Sequence, residues 1–250
     1  MITFLRTLLS YKKIKLHSFG QTDIGKVRQQ NEDSFALRPD QNLYLVADGM
    51  GGHKGGEIAS RLAIEEVIEA IPLPELRKSR FSPEACRHLL MEAFRRANNS
   101  VLSYGDHHPE LAGLGCTLVG CLIIGNQAHL CHVGDVRAYL INNDEMSQIT
   151  SDHSLAAMSE DKEEAHPKNI ITRCIGVSMT NSPEYHLREL QSGDQILLCS
   201  DGLWNMVDDK DISLIVQTAQ TPEIACDKLI SKANEAGGRD NITAAILKIE

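Results

Sequence analysis

Nowhere does the 250-residue sequence approach the ~18 uninterrupted apolar residues that a membrane-spanning helix needs. The N-terminal segment MITFLRTLLSYKKIKL comes nearest. Arg6 interrupts it, Lys12, Lys13 and Lys15 follow, and no small-residue cleavage pattern comes after, so neither a span nor a signal peptide fits. Residues 1–15 are expected to be an N-terminal extension packing on the domain, the alternative being a weak surface- or partner-docking arm. A basic excess is also missing: 25 Lys and Arg stand against 34 Asp and Glu, a net charge of −9, and the basic residues are scattered beyond the N-terminus. A nucleic-acid surface is therefore not expected. The seven cysteines include no CxxC and no Cys/His ligand spacing, and Cys121, Cys131 and Cys199 sit inside apolar runs. They read as reduced core thiols of a cytoplasmic protein, not as a zinc cluster or disulfide scaffold. Without repeats, low-complexity tracts or Pro/Gly/Ser linkers, the chain is expected to form one domain over 16–250.

What the sequence does contain is a series of carboxylates at the ends of strand-like runs. Leu43-Tyr44-Leu45-Val46-Ala47 reads as a short buried strand, and it delivers Asp48 into Gly49-Met50-Gly51-Gly52-His53. An aspartate beside a bare glycine carbonyl offers a hard divalent cation two kinds of oxygen ligand, although a simple glycine turn would look alike. Four other turns share this grammar: Arg28-Gln29-Gln30-Asn31-Glu32-Asp33, Gly134-Asp135-Val136-Arg137, Ser200-Asp201-Gly202 and Gly238-Arg239-Asp240-Asn241. Carboxylates at the ends of core strands are costly unless paired or coordinated. Several converging on one place is what a metal cluster needs.

Periodicity predicts a first strand over 15–20, a hairpin of 34–37 with 43–47, and a helix over 57–71 with apolar residues on one face. Ser82-Pro83-Glu84 signals a second helix, expected to end near Leu102. Runs at 117–124, 128–133 and 137–141 suggest an antiparallel meander. Strands near 185–190 and 195–199, helices near 209–219 and 222–236 and a last strand after Asp240 complete the pattern. On pattern alone this is a mixed, largely antiparallel α+β chain in which two sheets pack together with helices outside.

Nine motifs occur in order: Gly20-x-Thr22-Asp23-x-Gly25-x-Val27-Arg28, Asn31-Glu32-Asp33, Asp48-Gly49-Met50-Gly51-Gly52, Gly115-Cys116-Thr117, Gly134-Asp135-x-Arg137, Asp152-His153-Ser154, Ile171-Thr172-Arg173-x-Ile175-Gly176, Ser200-Asp201-Gly202-Leu203-Trp204 and Asp240-Asn241. In this arrangement the chain after residue 18 resembles the type 2C metal-dependent protein serine/threonine phosphatases, in their bacterial form. The resemblance implies a single-domain αββα sandwich, its metal site at one end of the sheets, and a flap over about 154–184. It also implies hydrolysis of phosphoserine and phosphothreonine on proteins by in-line attack of a water or hydroxide bridging two Mn2+ or Mg2+ ions, about 3.5–4 Å apart.

By the same resemblance Asp48 bridges the ions and the Gly49 carbonyl contacts one. Asp201 and Asp240 complete the first site, Glu32 serves the second, and Asp33 orients water. Asp135 with Asp201 matches a third, weaker ion position. Arg28 is the phosphate clamp, since a guanidinium can take two phosphate oxygens at once. Asn241 is expected to shape the turn that aims Asp240, Arg137 to support the fold through a buried pair, and Trp204 to pack near the site. Met50 stands where eukaryotic relatives carry a histidine, and a thioether cannot protonate a leaving group; His53 is the nearby alternative, and His153 reads as structural or flap-supporting. Expected partners are phosphorylated proteins, including a serine/threonine kinase and its targets, with the chain itself a monomer. The acidic patch 160–164 hints at basic substrate surfaces. The alternatives are a phosphatase dedicated to one regulatory partner and a non-catalytic phosphoprotein-binding relative, and the intact Asp48, Asp201 and Asp240 argue against the second.

Overall fold

Leu43, Tyr44, Leu45, Val46 and Ala47 are completely buried, so the strand they begin, β3 (Leu43–Met50), is covered on both faces. Leu43, Leu45 and Ala47 meet a helical layer, whereas Tyr44 and Val46 meet a second sheet. This two-faced alternation follows from the period of two in a strand and fixes where each layer lies. The computed structural model describes residues 14–51, 55–71, 82–143, 145–158, 170–177 and 183–250. The N-terminal extension up to residue 13, Gly52, His53, the acidic patch 160–164 and most of the expected flap lie outside the described residues.

The first sheet orders β2 (Ser34–Arg38), β3, β4 (Gly115–Ile124), β5 (Gln127–Val133) and β8 (Glu184–Glu189), all antiparallel. Its outer face is covered by α1 (Gly55–Ala70) and α2 (Pro83–His107), with Phe94, Leu90 and Val67 buried between. The second sheet orders β1 (Leu16–Asp23), β10 (Ile242–Ile249), β9 (Gln195–Cys199), β6 (Arg137–Ile141) and β7 (Met146–Gln148). Short helices α3 (Leu155–Met158) and α4 (Asp201–Trp204) lie on connections, and α5 (Asp209–Thr218) and α6 (Pro222–Glu235) cover the second sheet. Tyr44, Val119, Leu130, Leu198, Ala245 and Leu247 fill the space between the sheets. The result is an αββα sandwich with three apolar layers, as the sequence pattern and the resemblance led one to expect.

The helix signals operate as expected: Ser82 accepts from the Ala85 amide at 3.2 Å and Thr221 from Ile224 at 3.5 Å. Helix α2 continues past Leu102 to His107, because no strong breaker occurs before Pro109. The expected three-strand meander is corrected. β4 and β5 do form a hairpin, but β6 leaves for the other sheet, where it pairs with β9 and β7. Residues 184–189 and 195–199 are divided in the same way, β8 occupying the edge of β5 that β6 would have needed.

The switch occurs at Gly134, whose φ of +102° suits glycine alone, and whose missing side chain leaves space for Thr117. Gly134→Ala should therefore destabilise the protein by at least the ~1–2 kcal/mol of a left-handed alanine, since the new methyl also meets Thr117. The urea midpoint measures this; an unchanged midpoint would mean the crossover does not depend on that geometry.

Candidate active site

The carboxylates expected to hold metal, together with Asp33, lie at one end of the sandwich, because each occupies the end of a strand or the turn beside it. Asp48 lies near the C-terminal end of β3, opposite Thr117 of β4. Glu32 and Asp33 precede β2, and Asp135 sits in the β5–β6 crossover. Asp201 opens α4 directly after β9, and Asp240 precedes β10. A cavity of about 640 Å³ is lined by Arg28, Glu32, Asp48, Gly49, Asp135, Asp201 and Asp240 together. Met50, Gln29, Gln30 and Ile171 also border it, and the last three carried no chemical signal in the sequence.

Asp33 lies beneath the cavity. Its Oδ2 accepts hydrogen bonds from Ser200 Oγ at 2.7 Å and Thr243 Oγ1 at 2.6 Å, while its buried Oδ1 has no partner among the described residues. Sequence reasoning did not single out Ser200 or Thr243; only the adjacency of Ser200 to Asp201 could have drawn attention to one of them. Asn241 does more than shape the turn at Asp240. Its amide N–H bonds Asp240 Oδ1 at 2.8 Å, as expected, and its side chain also accepts from the Glu32 amide at 2.8 Å and donates to the carbonyls of Ile24 and Gln30. It thus staples the Arg28 loop to the start of β10.

Gly49 also has a second role. A Cβ there would run into the Gly56 carbonyl, and one on Gly56 would come within 2.6 Å of Glu32 Oε2. The two glycines let the N-terminus of α1 approach the carboxylates.

Arg28 is half exposed, and its Nη2 donates to Asp240 Oδ2 at 2.7 Å; the pairing made is with Asp240 and not with Glu32. Arg137 forms the buried pair expected of it, with Nε and Nη2 donating to Asp152 at 2.9 and 2.7 Å. Its guanidinium stacks 3.6 Å over Trp204, whose Nε1 donates to the Asp135 carbonyl at 3.1 Å. His153 is structural in the sense expected: its amide donates to the Gly134 carbonyl, and its Nδ1 accepts from the Gly134 amide.

Burial and mutual repulsion hold protons on these acids. Asp33 and Asp135 are each pushed up to about 7 by burial, with Asp201 adding repulsion, and Asp201 is pushed to about 6 by burial and Asp240. Asp48 lies well above the usual carboxylate range, first through burial and then through Asp33 and Asp201. So much like charge in one cavity calls for a cation, and the donors fit one that prefers oxygen. They are carboxylates and a glycine carbonyl with no imidazole or thiolate among them, and the unpartnered Asp33 Oδ1 stands ready for a water. Among the described residues no three of these carboxylates bring oxygens within 4.8 Å of one another.

Comparison with known proteins agrees with this geometry. The family model for protein phosphatase 2C matches residues 24–229. The serine/threonine phosphatase stp of Listeria innocua is 34% identical over 244 residues, covering 93% of this chain and 96% of its own length. Protein phosphatase PhpP of Streptococcus pneumoniae is 36% identical over 239 residues, covering 91% and 95%. Among solved structures, the catalytic domain of the serine/threonine phosphatase PstP in complex with two manganese ions superposes with a TM-score of 0.83 at 32% identity, covering 94% of this chain and 98% of that one.

The raised carboxylates make a prediction about stability. Their folded pKa values exceed the ordinary ~3.9 of aspartate, so the native state binds extra protons and its stability falls as pH rises through about 6 and 7. The buried His129 and His132, lowered to about 4, act in the opposite sense only below about 6.5, so pH 6.5 and 8 are the points to compare. Calorimetry in EDTA should give a lower Tm at pH 8, and Mn2+ should raise Tm more at pH 8 than at 6.5, because protons compete for the same oxygens. An equal Mn2+ effect at both values would contradict this electrostatic description.

Proposed function

This chain belongs to the protein phosphatase 2C family and is a metal-dependent protein serine/threonine phosphatase, and from that premise we propose how its own residues divide the work. Glu32, Asp48, the Gly49 carbonyl, Asp201 and Asp240 hold two divalent ions, Mn2+ or Mg2+, with Asp135 and Asp201 offering a third, weaker position. When bound, such ions neutralise phosphate charge and lower the pKa of water, the two demands that slow phosphate monoester hydrolysis makes on a catalyst. The observation that carries this reading is the meeting of strand ends from both sheets around one cavity, with all five acids and Arg28 on its wall.

Arg28 binds the substrate phosphate. Its planar guanidinium is half exposed at the cavity and can engage two phosphate oxygens at once. Asp33, fixed through Oδ2 by two hydroxyls, keeps Oδ1 for a hydrogen bond that orients a water. Asn241 is a positioning residue, acting through the Glu32 amide and the Asp240 carboxylate. Met50 borders the cavity without a proton to give, so leaving-group protonation falls to water or to another residue.

The substrates are phosphorylated proteins, and we propose that the chain opposes a serine/threonine kinase, acts as a monomer and works in the cytoplasm. The last point rests on its seven thiols, all free and six of them buried. Among the described residues no helix is long and apolar enough to cross a membrane.

Hydrolysis of p-nitrophenyl phosphate and of a phosphothreonine peptide tests the assignment. Activity should require Mn2+ or Mg2+, vanish in EDTA, and fall by orders of magnitude in Asp48→Asn. Activity of Asp48→Asn near wild type would remove Asp48 from the centre. Arg28→Lys keeps the charge but loses the two-oxygen contact, worth the ~1.5–3 kcal/mol of a charged hydrogen bond, or about 10- to 100-fold in kcat/KM. An unchanged kcat/KM would rule out the clamp.

A further inference from the structure

A second group of ligand-bearing side chains, none of which lines the carboxylate cavity, lies on the face of β5 and β8 that looks toward the other sheet. His132 shares that face with Leu130, which is packed between the sheets. In the ladder His132 stands opposite Glu184, and His186 stands opposite Leu130, placing His186 diagonally beside His132. One ligating atom from each of His132, Glu184 and His186 lies within 4.8 Å of the other two.

Hydrogen bonding fixes the state of these groups. His132 Nε2 is 2.9 Å from the Ser151 carbonyl, which can only accept, so Nε2 carries the proton and Nδ1 presents a lone pair. His132 is completely buried, and Nδ1 has no partner among the described residues. His186 Nε2 is likewise buried without a hydrogen-bond partner there, since Glu184 Oε2 stands 3.9 Å away, beyond hydrogen-bond length. Glu184 Oε1 is engaged by Arg173 Nη1 and His153 Nε2, each at 3.1 Å, which leaves Oε2 turned to the histidines. Two unpaired ring nitrogens next to a carboxylate oxygen are costly in an interior unless a ligand joins them.

We propose that His132, Glu184 and His186 bind a divalent ion of the Zn2+ class, at a site separate from the carboxylate centre. Two imidazoles and one carboxylate form a nitrogen-rich, three-ligand set that leaves a fourth tetrahedral position for water. Oxygen-seeking Mg2+ and Mn2+ are poorly matched to it. The surrounding contacts are those that metal-binding histidines and carboxylates use: a backbone carbonyl sets the His132 tautomer, and Arg173 and His153 hold the far oxygen of Glu184. Burial keeps His132 neutral, at about 4, and lowers His186 as well, so both rings are in their ligating form at neutral pH.

The test uses the full chain in excess Mg2+, titrated with Co2+ and followed by visible absorption. One equivalent of Co2+ should give the intense d–d bands of a four-coordinate site, and Zn2+ should displace it. The bands should survive Asp48→Asn and be lost in both His186→Ala and Glu184→Gln, two variants of the half-buried edge strand whose folding thermal melts would verify. Bands that disappear in Asp48→Asn but persist in His186→Ala would place the ion in the catalytic cavity and overturn the proposal, as would an absence of Co2+ binding in excess Mg2+. The readout requires no phosphate hydrolysis, so it fails or succeeds independently of the phosphatase assignment.

Discussion

A buried carboxylate fastens the two sheets together at the end where chemistry takes place. Asp33, entering β2 of the first sheet, receives hydrogen bonds from Ser200 and Thr243 of the second, and Ser200 Oγ in turn accepts from the Thr243 amide. Two hydroxyl donors do not offset the burial of a full negative charge. Asp48, Asp201 and Asp240, all of the same sign, stand near enough to raise its pKa or have theirs raised by it. The contact that joins the sheets therefore also creates a demand for positive charge. Binding cations and holding the sandwich closed at this end are one physical problem.

The rest of the fold is organised so that this strain stays local. The three apolar layers are filled by aliphatic and small side chains, and charge is confined to strand ends and surfaces. The two arginines near the cavity show how differently the same group can be used. Arg137 is committed: two of its nitrogens are bound by Asp152 and its plane lies on Trp204, so it braces the wall behind Asp135. Arg28 is half exposed and has a single carboxylate partner, an arrangement that a phosphate can enter at little cost. Sites commonly retain such local instability because function requires it.

Much of this was legible in the sequence where the determinants are local. The hairpin of β2 and β3, the helix caps at Ser82 and Thr221, and the burial of Leu43 to Ala47 follow from patterns within about ten residues. Most of the ring of acids was legible because Asp48, Asp135 and Asp201 each sit beside a glycine at the end of an apolar run and Asp240 lies two residues before one, whereas Glu32 stood out only through its motif. Long-range choices were not. Nothing in residues 117–141 states that β6 will change sheets, because the decision depends on β8 claiming the edge of β5 from some fifty residues downstream. The partner of Arg28 and the three backbone groups held by Asn241 are likewise set by a contact across more than 200 positions. Glu184 and His186 had a local signal, two ligand types on one face of a strand, but His132 joins them only through the ladder.

The two sites share a support, and that bears on how they differ. His153 donates through Nε2 to Glu184 and accepts through Nδ1 from the amide of Gly134, the residue before Asp135. One imidazole therefore spans from the histidine cluster to the wall of the carboxylate cavity, through the glycine at which the chain changes sheets. Such a bridge would pass a change in one site to the other, and keeping different ions in the two is a separate requirement. Intrinsic affinity does not arrange that, since Zn2+ outcompetes Mn2+ at most mixed sites. Donor chemistry can: the cavity offers carboxylate and carbonyl oxygens, which suit Mg2+ and Mn2+, and the β5–β8 face offers two neutral imidazoles, which do not. The separation of oxygen donors in the cavity from nitrogen donors on the β5–β8 face is what would keep the catalytic ions distinct from an ion at the proposed site.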